Sequence, residues 1–237
     1  MHPTTHYEHL ARLFDYPGSD YPVWVRATRD VLADRYAAAA RALEDFIRLL
    51  PERGDRLSRE ALDAVQELFT RTFDVQAITT LSVGYVMFGD DYKRGELLVH
   101  LSREQEAAGV SRGTELPDHL PVVLRLMGRW EDRALAAEFA AEILYPAVQR
   151  MIAEFGPART MQRNALYEQH YRTLIAGGER ATMFREPLAA VRAALAQDFG
   201  LADWRPPERD NDFLRSLGRE LEIEAGDGPP TRAGGAR

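Results

Sequence analysis

GTELPDHLPVVLRLMGRW, residues 113–130, combines a helical pattern with a group of polar residues directly before it. Leu120, Val123, Leu124 and Met127 occupy positions i, i+3, i+4 and i+7. This spacing places four apolar side chains on one side of an α-helix, where they can face a core. The sequence therefore predicts a helix that begins near residue 119 and buries this stripe.

The preceding residues 115–119, ELPDH, allow three interpretations. Asp118 is a favourable N-cap, and Pro121 then falls in the first turn, where its missing N–H costs nothing. The charged loop can instead be a recognition surface for another protein, in which case Asp118→Asn is expected to cost little stability. An aspartate beside His119 can also tune the imidazole for acid–base chemistry, although no nucleophile, second carboxylate pair or metal set accompanies it.

Similar periodicity runs through most of the chain and predicts an all-α protein. Thr79–Phe88 has a strand-like composition, but we interpret it as a buried helix because its neighbours are helical. Pro146 is expected to kink its helix near Leu144. The predicted helices are Pro22–Leu50, a helix from Ser58, Thr79–Phe88, a helix capped by Asp90 that runs through Ala108, a helix capped by Asp132 or Glu131 that runs to about Phe155, Asn164–Ala176 and Glu186–Phe199.

The predicted organisation is one helical domain followed by a tail. The domain spans residues 1–205, and residues 206–237 form a partly disordered C-terminal tail. This tail is rich in Gly, Pro and Ala, and such a segment cannot bury enough apolar surface to order itself. We therefore expect a single-domain helical bundle with a flexible C-terminus.

Composition limits the classes of partner. Hydrophobic residues make up 45% of the 237 residues and the formal net charge is -7. No basic block suggests nucleic acid, no apolar run is long enough to cross a bilayer, and no secretory signal begins the chain. The absence of cysteine excludes disulfides, thiolate-bound clusters and cysteine nucleophiles. We expect a cytoplasmic protein that binds neither nucleic acid nor membrane.

Metal and nucleotide signals are weak. His2, His6 and His9 are spaced to share one helical face and could chelate a divalent metal, but they lie at the chain end. Residues 168–170, EQH, lack the spacing of a di-iron Glu-x-x-His motif. His170 is more consistent with a core or surface residue. No phosphate-binding loop or nucleophile elbow occurs, so neither a metal nor a cofactor is predicted.

Five short motifs, taken in order, resemble the NarJ/TorD-type chaperones and most closely the NarJ-like branch. The resemblance covers about residues 8–128, and the order of the motifs makes it more specific than any one of them. Residues 125–130 and the chain from Tyr145 onward depart from the pattern. The motifs are LFDYP at Leu13–Pro17, TFD at Thr72–Asp74, GD at Gly89–Asp90, RG at Arg94–Gly95 and the acidic–proline–aspartate–histidine segment at Glu115–Pro121.

The resemblance implies a TorD-like helical bundle that acts as a dedicated assembly chaperone and not as an enzyme. Its partner would be the apo catalytic subunit of a molybdopterin enzyme of the DMSO-reductase superfamily, including that subunit's N-terminal segment or twin-arginine signal. The chaperone would keep this subunit competent for molybdenum cofactor insertion before export or assembly, as a monomer or weak dimer without a cofactor of its own. The expected partner-binding residues are Glu115, Leu116, Pro117, Asp118, His119, Phe73, Asp74, Tyr85, Asp90 and Arg94.

Two other classes of function remain open from the residues alone. One is a small helical hydrolase that uses Asp118 and His119, which would require a concave pocket with a nucleophile or metal within reach of the imidazole. The other is a helical scaffold without a binding groove. The position of His119 in the structure distinguishes the first from a recognition surface.

Overall fold

The computed structural model describes residues 6–75, 77–157, 159 and 179–202. These residues form α-helices with no regular β-strand among them, so the all-α prediction is confirmed. None of the described helices is long and apolar enough to cross a membrane. The helices are α1 His6–Arg12, α2 Tyr21–Ala33, α3 Ala37–Leu49, α4 Arg59–Phe73, α5 Val83–Phe88, α6 Tyr92–Ala107, α7 Leu120–Arg129, α8 Arg133–Phe139, α9 Tyr145–Ala153 and α10 Arg185–Phe199.

Helix α7 lies in the core, as its stripe predicts. Leu120, Val123, Leu124 and Met127 are all completely buried. Leu126 is also completely buried on the same helix, so apolar contacts surround more of α7 than one stripe alone would cover. Helix α1 packs against α7. A helix buried on several sides is a rigid support for whatever precedes it, and the ELPDH segment precedes α7 directly.

The long helix predicted for Pro22–Leu50 is wrong. Helix α2 ends at Ala33 and α3 begins at Ala37, so the chain turns between them and the two helices pack against each other. Tyr36 leaves the helical conformation, with φ of -119° and ψ of 59°. Its hydroxyl donates to Asp198 Oδ1 at 2.6 Å. No Gly or Pro occurs at this turn. The turn is instead stabilised by the hydrogen bond from Tyr36 to Asp198, which is distant in sequence.

The buried helix predicted for Thr79–Phe88 is partly wrong. Only α5 from Val83 onward is helical. Before it the chain bends at Thr79 and Leu81, and Ser82 is extended, where it forms an isolated antiparallel bridge with His119. The strand-like composition of this segment is therefore matched by a single β-bridge. This bridge places α5 directly beside the ELPDH segment.

Two further predictions concern helix boundaries. Asp132 caps α8, because its Oδ1 accepts hydrogen bonds from the N–H groups of Ala134 and Leu135. Asp90 does not cap α6; the neighbouring Asp91 does, since its Oδ1 accepts from the Lys93 N–H at 2.9 Å. The distortion expected before Pro146 takes the form of a π-helical turn, Ala140–Leu144, between α8 and α9.

Aromatic side chains join α4 to α10 in the core. The rings of Phe69 and Phe73 lie 5.3 and 5.5 Å from that of Phe184, which directly precedes α10. Phe14 adds an edge contact to Phe73 at 6.2 Å. The predicted helix Asn164–Ala176, His170, the boundary near residue 205 and the C-terminal tail lie outside the described residues.

Candidate partner-binding site

The ELPDH segment is fixed to the core by its backbone. The Leu120 N–H donates to the Leu81 carbonyl at 2.8 Å, and the Val83 N–H donates to the Asp118 carbonyl at 2.9 Å. From α6, the buried side chain of Gln105 donates through Nε2 to the Pro117 carbonyl at 2.7 Å. These bonds satisfy polar backbone groups that the fold buries, and they hold the loop in one conformation.

Asp118 is a buried counter-ion and not a helix cap. Its exposed fraction is 0%, and Arg94 Nε of α6 donates to its Oδ2 at 3.0 Å. The N-cap of α7 is His119, which makes no side-chain capping bond. The capping interpretation of Asp118 is therefore wrong, because its carboxylate turns inward to a cation 24 residues away in sequence.

Gly84 leaves the space that the Asp118 carboxylate occupies. A Cβ atom at position 84 would lie 2.9 Å from Asp118 Oδ2 and 3.1 Å from Leu97 Cδ2. Carbon atoms do not approach other heavy atoms so closely without displacement, so only glycine leaves room here. The backbone of α5 thus forms one wall of the pocket that holds the carboxylate. This role of Gly84 is not evident from the sequence.

Arg94 connects the buried carboxylate to the surface. Its guanidinium carbon lies 5.3 Å from the centre of the Tyr85 ring, within the range of a cation–π contact. Tyr85 is 44% exposed, whereas Arg94 is mostly buried. The structure therefore brings together three residues expected to serve one site, with Asp118 at the bottom, Arg94 between and Tyr85 at the surface.

The side chain of His119 is mostly buried beside Glu115 and is not paired with Asp118. Its Nδ1 is 3.8 Å from Glu115 Oε2. Burial lowers the pKa of His119, and the nearby carboxylates of Glu115 and Asp118 oppose this only in part. Asp118 Oδ1 and His119 Nδ1 have no hydrogen-bond partner in the part of the chain that the structure describes, so the aspartate–histidine pair that a hydrolase would need is not formed.

A second ion network lies beside His119 and was missed from the sequence. Arg125 of α7 donates to Asp15 Oδ2 at 2.6 Å and to Glu8 Oε1 at 3.3 Å. Burial acts to lower the pKa of Arg125, but these two carboxylates outweigh it and raise the pKa. Asp15 belongs to the LFDYP motif, so the structure joins that motif to the ELPDH segment through Arg125. The only sequence signal was that both motifs belong to the same resemblance.

The remaining predicted residues divide by exposure. Leu116 is 50% exposed, and Glu115, Asp74 and Asp90 are also on the surface. Phe73 is buried among aromatic rings, so it supports the fold and presents no side chain to a partner. The outer edge of the loop thus presents an acidic and an apolar side chain on a fixed backbone.

Of the three N-terminal histidines, His6 makes a contact elsewhere in the fold. His6 Nε2 lies 2.8 Å from Asp198 Oδ2, and the same carboxylate accepts from Tyr36 through its other oxygen. Burial acts to raise the pKa of Asp198, but the hydrogen bonds from His6 and Tyr36 outweigh it and lower the pKa. Asp198 thus ties α1 to α10. His2 lies outside the described residues, and no metal-ligating group of three forms among the described ones.

The chain is 28% identical over 165 residues to the "Probable nitrate reductase molybdenum cofactor assembly chaperone NarJ" of Bacillus subtilis (strain 168). The aligned region covers 64% of this chain and 85% of that protein. Over this range the chain is similar to that NarJ protein. The resemblance that its motifs indicate is thereby confirmed. No family model matches the chain.

Proposed function

We propose that this NarJ-like chain is a dedicated assembly chaperone for a molybdenum enzyme. It binds the apo catalytic subunit of a DMSO-reductase-superfamily enzyme, through an N-terminal segment of that subunit, and keeps it competent for molybdenum cofactor insertion. The observation that carries the proposal is the similarity to the Bacillus subtilis protein, whose name describes a probable molybdenum cofactor assembly chaperone of nitrate reductase. The chain itself acts in the cytoplasm, without catalysis and without a resident cofactor.

The geometry of the loop supports a binding role. Burying the Asp118–Arg94 pair costs desolvation that replacement by apolar residues would avoid, so the pair does more than add stability. It orders the segment that carries Glu115 and Leu116 before any partner arrives. A preorganised loop loses less conformational entropy on binding than a mobile one. The carboxylate of Glu115 suits a basic partner segment, and Leu116 and Tyr85 supply apolar contact area.

Co-purification from the native host tests the proposal. The expected result is that the tagged chain retains an apo molybdopterin-enzyme subunit that is identified by mass spectrometry. Recovery of no such subunit, or only of one already loaded with molybdenum, contradicts it.

Two variants then locate the contact. Leu116→Asp is expected to reduce recovery of the subunit, because it places a charge at the apolar part of the loop edge. Val99→Asp is the matched control, since Val99 is 51% exposed but lies on α6 away from the loop. Equal losses in both variants would show that the loop edge is not the contact.

A further inference from the structure

Helix α5 is too short to be stable by itself. It spans six residues, Val83–Phe88, and isolated helices shorter than about 12–15 residues are marginal in water. Yet α5 contributes two features to the candidate partner-binding site. One is the Gly84 backbone beside the Asp118 carboxylate, and the other is the exposed Tyr85 ring beside Arg94. Groups elsewhere in the fold must therefore stabilise the conformation of α5.

A side chain from α9 binds the C-terminal end of α5. A helix leaves its last four carbonyls without an intrahelical partner. In α5, the first and the last of these four accept from backbone N–H groups of the chain that follows, at 2.8 and 3.4 Å. The middle two, those of Val86 and Met87, accept from Nη1 of Arg150, each at 3.2 Å. Arg150 lies 64 and 63 residues further along the chain, so this contact is tertiary.

A guanidinium is well suited to this position. Its Nη1 carries two hydrogens, so the same nitrogen can donate to both carbonyls at once. A positive charge also interacts favourably with the last turn of a helix. Hydrogen bonds from a charged donor are roughly twice as strong as those from a neutral one, and these two are partly buried. Arg150 therefore stabilises the end of α5 more than a neutral donor would.

The π-helical turn before α9 helps to orient Arg150. The Tyr145 N–H donates to the Ala140 carbonyl, five residues back, and Pro146 supplies no N–H of its own. This turn therefore holds one residue more than an α-helical turn. Each residue rotates an α-helix by about 100°, so the extra residue rotates α9 by that amount relative to α8. In this orientation α9 packs against α5.

We propose that Arg150 is a positioning residue for the candidate partner-binding site. By binding the C-terminal end of α5, it fixes the Gly84 backbone against the Asp118 carboxylate and holds the Tyr85 ring in place before a partner arrives. A site that is already ordered loses less conformational entropy on binding. The inference rests on the proposed function, and it assigns a role to a residue that no motif of the resemblance contains.

Hydrogen exchange of the full chain, followed by mass spectrometry, tests the first part of the inference without any partner. Arg150→Met removes the donor but keeps an unbranched apolar stem. The α5 amides are expected to exchange at least about tenfold faster in this variant, while those of α3 keep their rates. Arg150→Lys keeps the positive charge at the helix end, so its α5 exchange is expected to fall between that of Arg150→Met and that of the unmodified chain.

Arg26→Met is the matched control. Arg26 also donates to two consecutive backbone carbonyls, those of Arg53 and Gly54, at 3.3 and 3.0 Å. These carbonyls belong to no part of the candidate site, so Arg26→Met should leave exchange in α5 unchanged. Unchanged α5 exchange in Arg150→Met, or equally fast exchange in Arg26→Met, overturns the inference.

The apo subunit recovered by the tagged chain tests the second part. Tyr85→Ala and Arg150→Met should each lower the amount recovered, whereas Arg26→Met should not. The double variant, Tyr85→Ala with Arg150→Met, should lower it by less than the product of the two single effects, because both act on α5. Independent effects, or full recovery by Arg150→Met, overturn the inference while the proposed function stands. If the unmodified chain retains no such subunit, the proposed function fails, and exchange alone decides whether Arg150 holds α5.

Discussion

Replacement of Asp118 by asparagine distinguishes a buried ion pair from a helix cap. Asparagine is about as good an N-cap as aspartate, so a capping role predicts almost no change in the free energy of unfolding. In the structure the carboxylate is completely buried and its charge is balanced by Arg94. Removing one partner of a buried pair costs about 3–5 kcal/mol. Arg94 remains 19% exposed and can recover some hydration, so we expect a loss of about 2–3 kcal/mol.

The two partners of the pair should respond unequally. Arg94→Gln leaves a carboxylate with no solvent exposure and no cation, so its cost is expected at about 3–5 kcal/mol, above that of Asp118→Asn. The double variant removes both charges and should lose less than the sum of the single losses. The difference, a coupling free energy of about 1–3 kcal/mol, measures the interaction itself.

Urea unfolding followed by circular dichroism gives the required free energies for the four proteins of this cycle. The slope of the free energy against urea should be the same in all four, which shows that the variants unfold from a common fold. A loss below about 0.5 kcal/mol for Asp118→Asn, with additive losses in the double variant, would refute the buried-pair reasoning.

Three further predictions concern packing and pH. Gly84→Ala should lower the free energy of unfolding by about 1–3 kcal/mol, because the new methyl group meets the Asp118 carboxylate. Gly95→Ala, which has open space around it in α6, should raise the free energy of unfolding by about 0.5–1 kcal/mol, and urea unfolding compares the two variants. Burial lowers the folded-state pKa of His119, so the contribution of neutral His119 to stability is complete above the unfolded pKa of about 6.5 and is lost as the pH falls below that value. His119→Gln should therefore make the melting temperature depend less on pH in that range. An unchanged dependence of melting temperature on pH would contradict this. The folded-state pKa of Asp198 is also lowered, so its contribution is present above about pH 3.9 and lost at lower pH; Asp198→Asn should lower the melting temperature at neutral pH and weaken the acid dependence.

Local periodicity predicts the parts of the fold that local forces decide. The stripe of α7 is buried as predicted, because apolar residues at helical spacing have a single way to face a core. The position of Asp132 at the N-cap of α8 is likewise a local matter. The turn between α2 and α3 is different. No breaker marks it, since Tyr36 is drawn out of the helix toward Asp198, 162 residues further along the chain.

The candidate site can likewise be predicted from the sequence only in part. Asp118, Arg94 and Tyr85 all belong to the expected set of partner-binding residues, and the structure brings them together. Their individual roles depend on distances that no spacing reveals. Asp118 looks like a cap in sequence because it precedes a helix, yet its carboxylate is drawn to Arg94. Arg125 lies in a segment that departs from the resemblance, yet its guanidinium donates a hydrogen bond to Asp15 within the LFDYP motif.

The molybdenum content of the partner enzyme tests the central claim most directly. In a strain that lacks this chain, the partner's catalytic subunit should be synthesised at a normal level but contain little molybdenum and show little activity. Expression of the unmodified chain from a plasmid should restore both, and expression of Leu116→Asp should restore less than the Val99→Asp control does. A catalytic subunit that is fully loaded with molybdenum and active in the absence of this chain would contradict the assembly role.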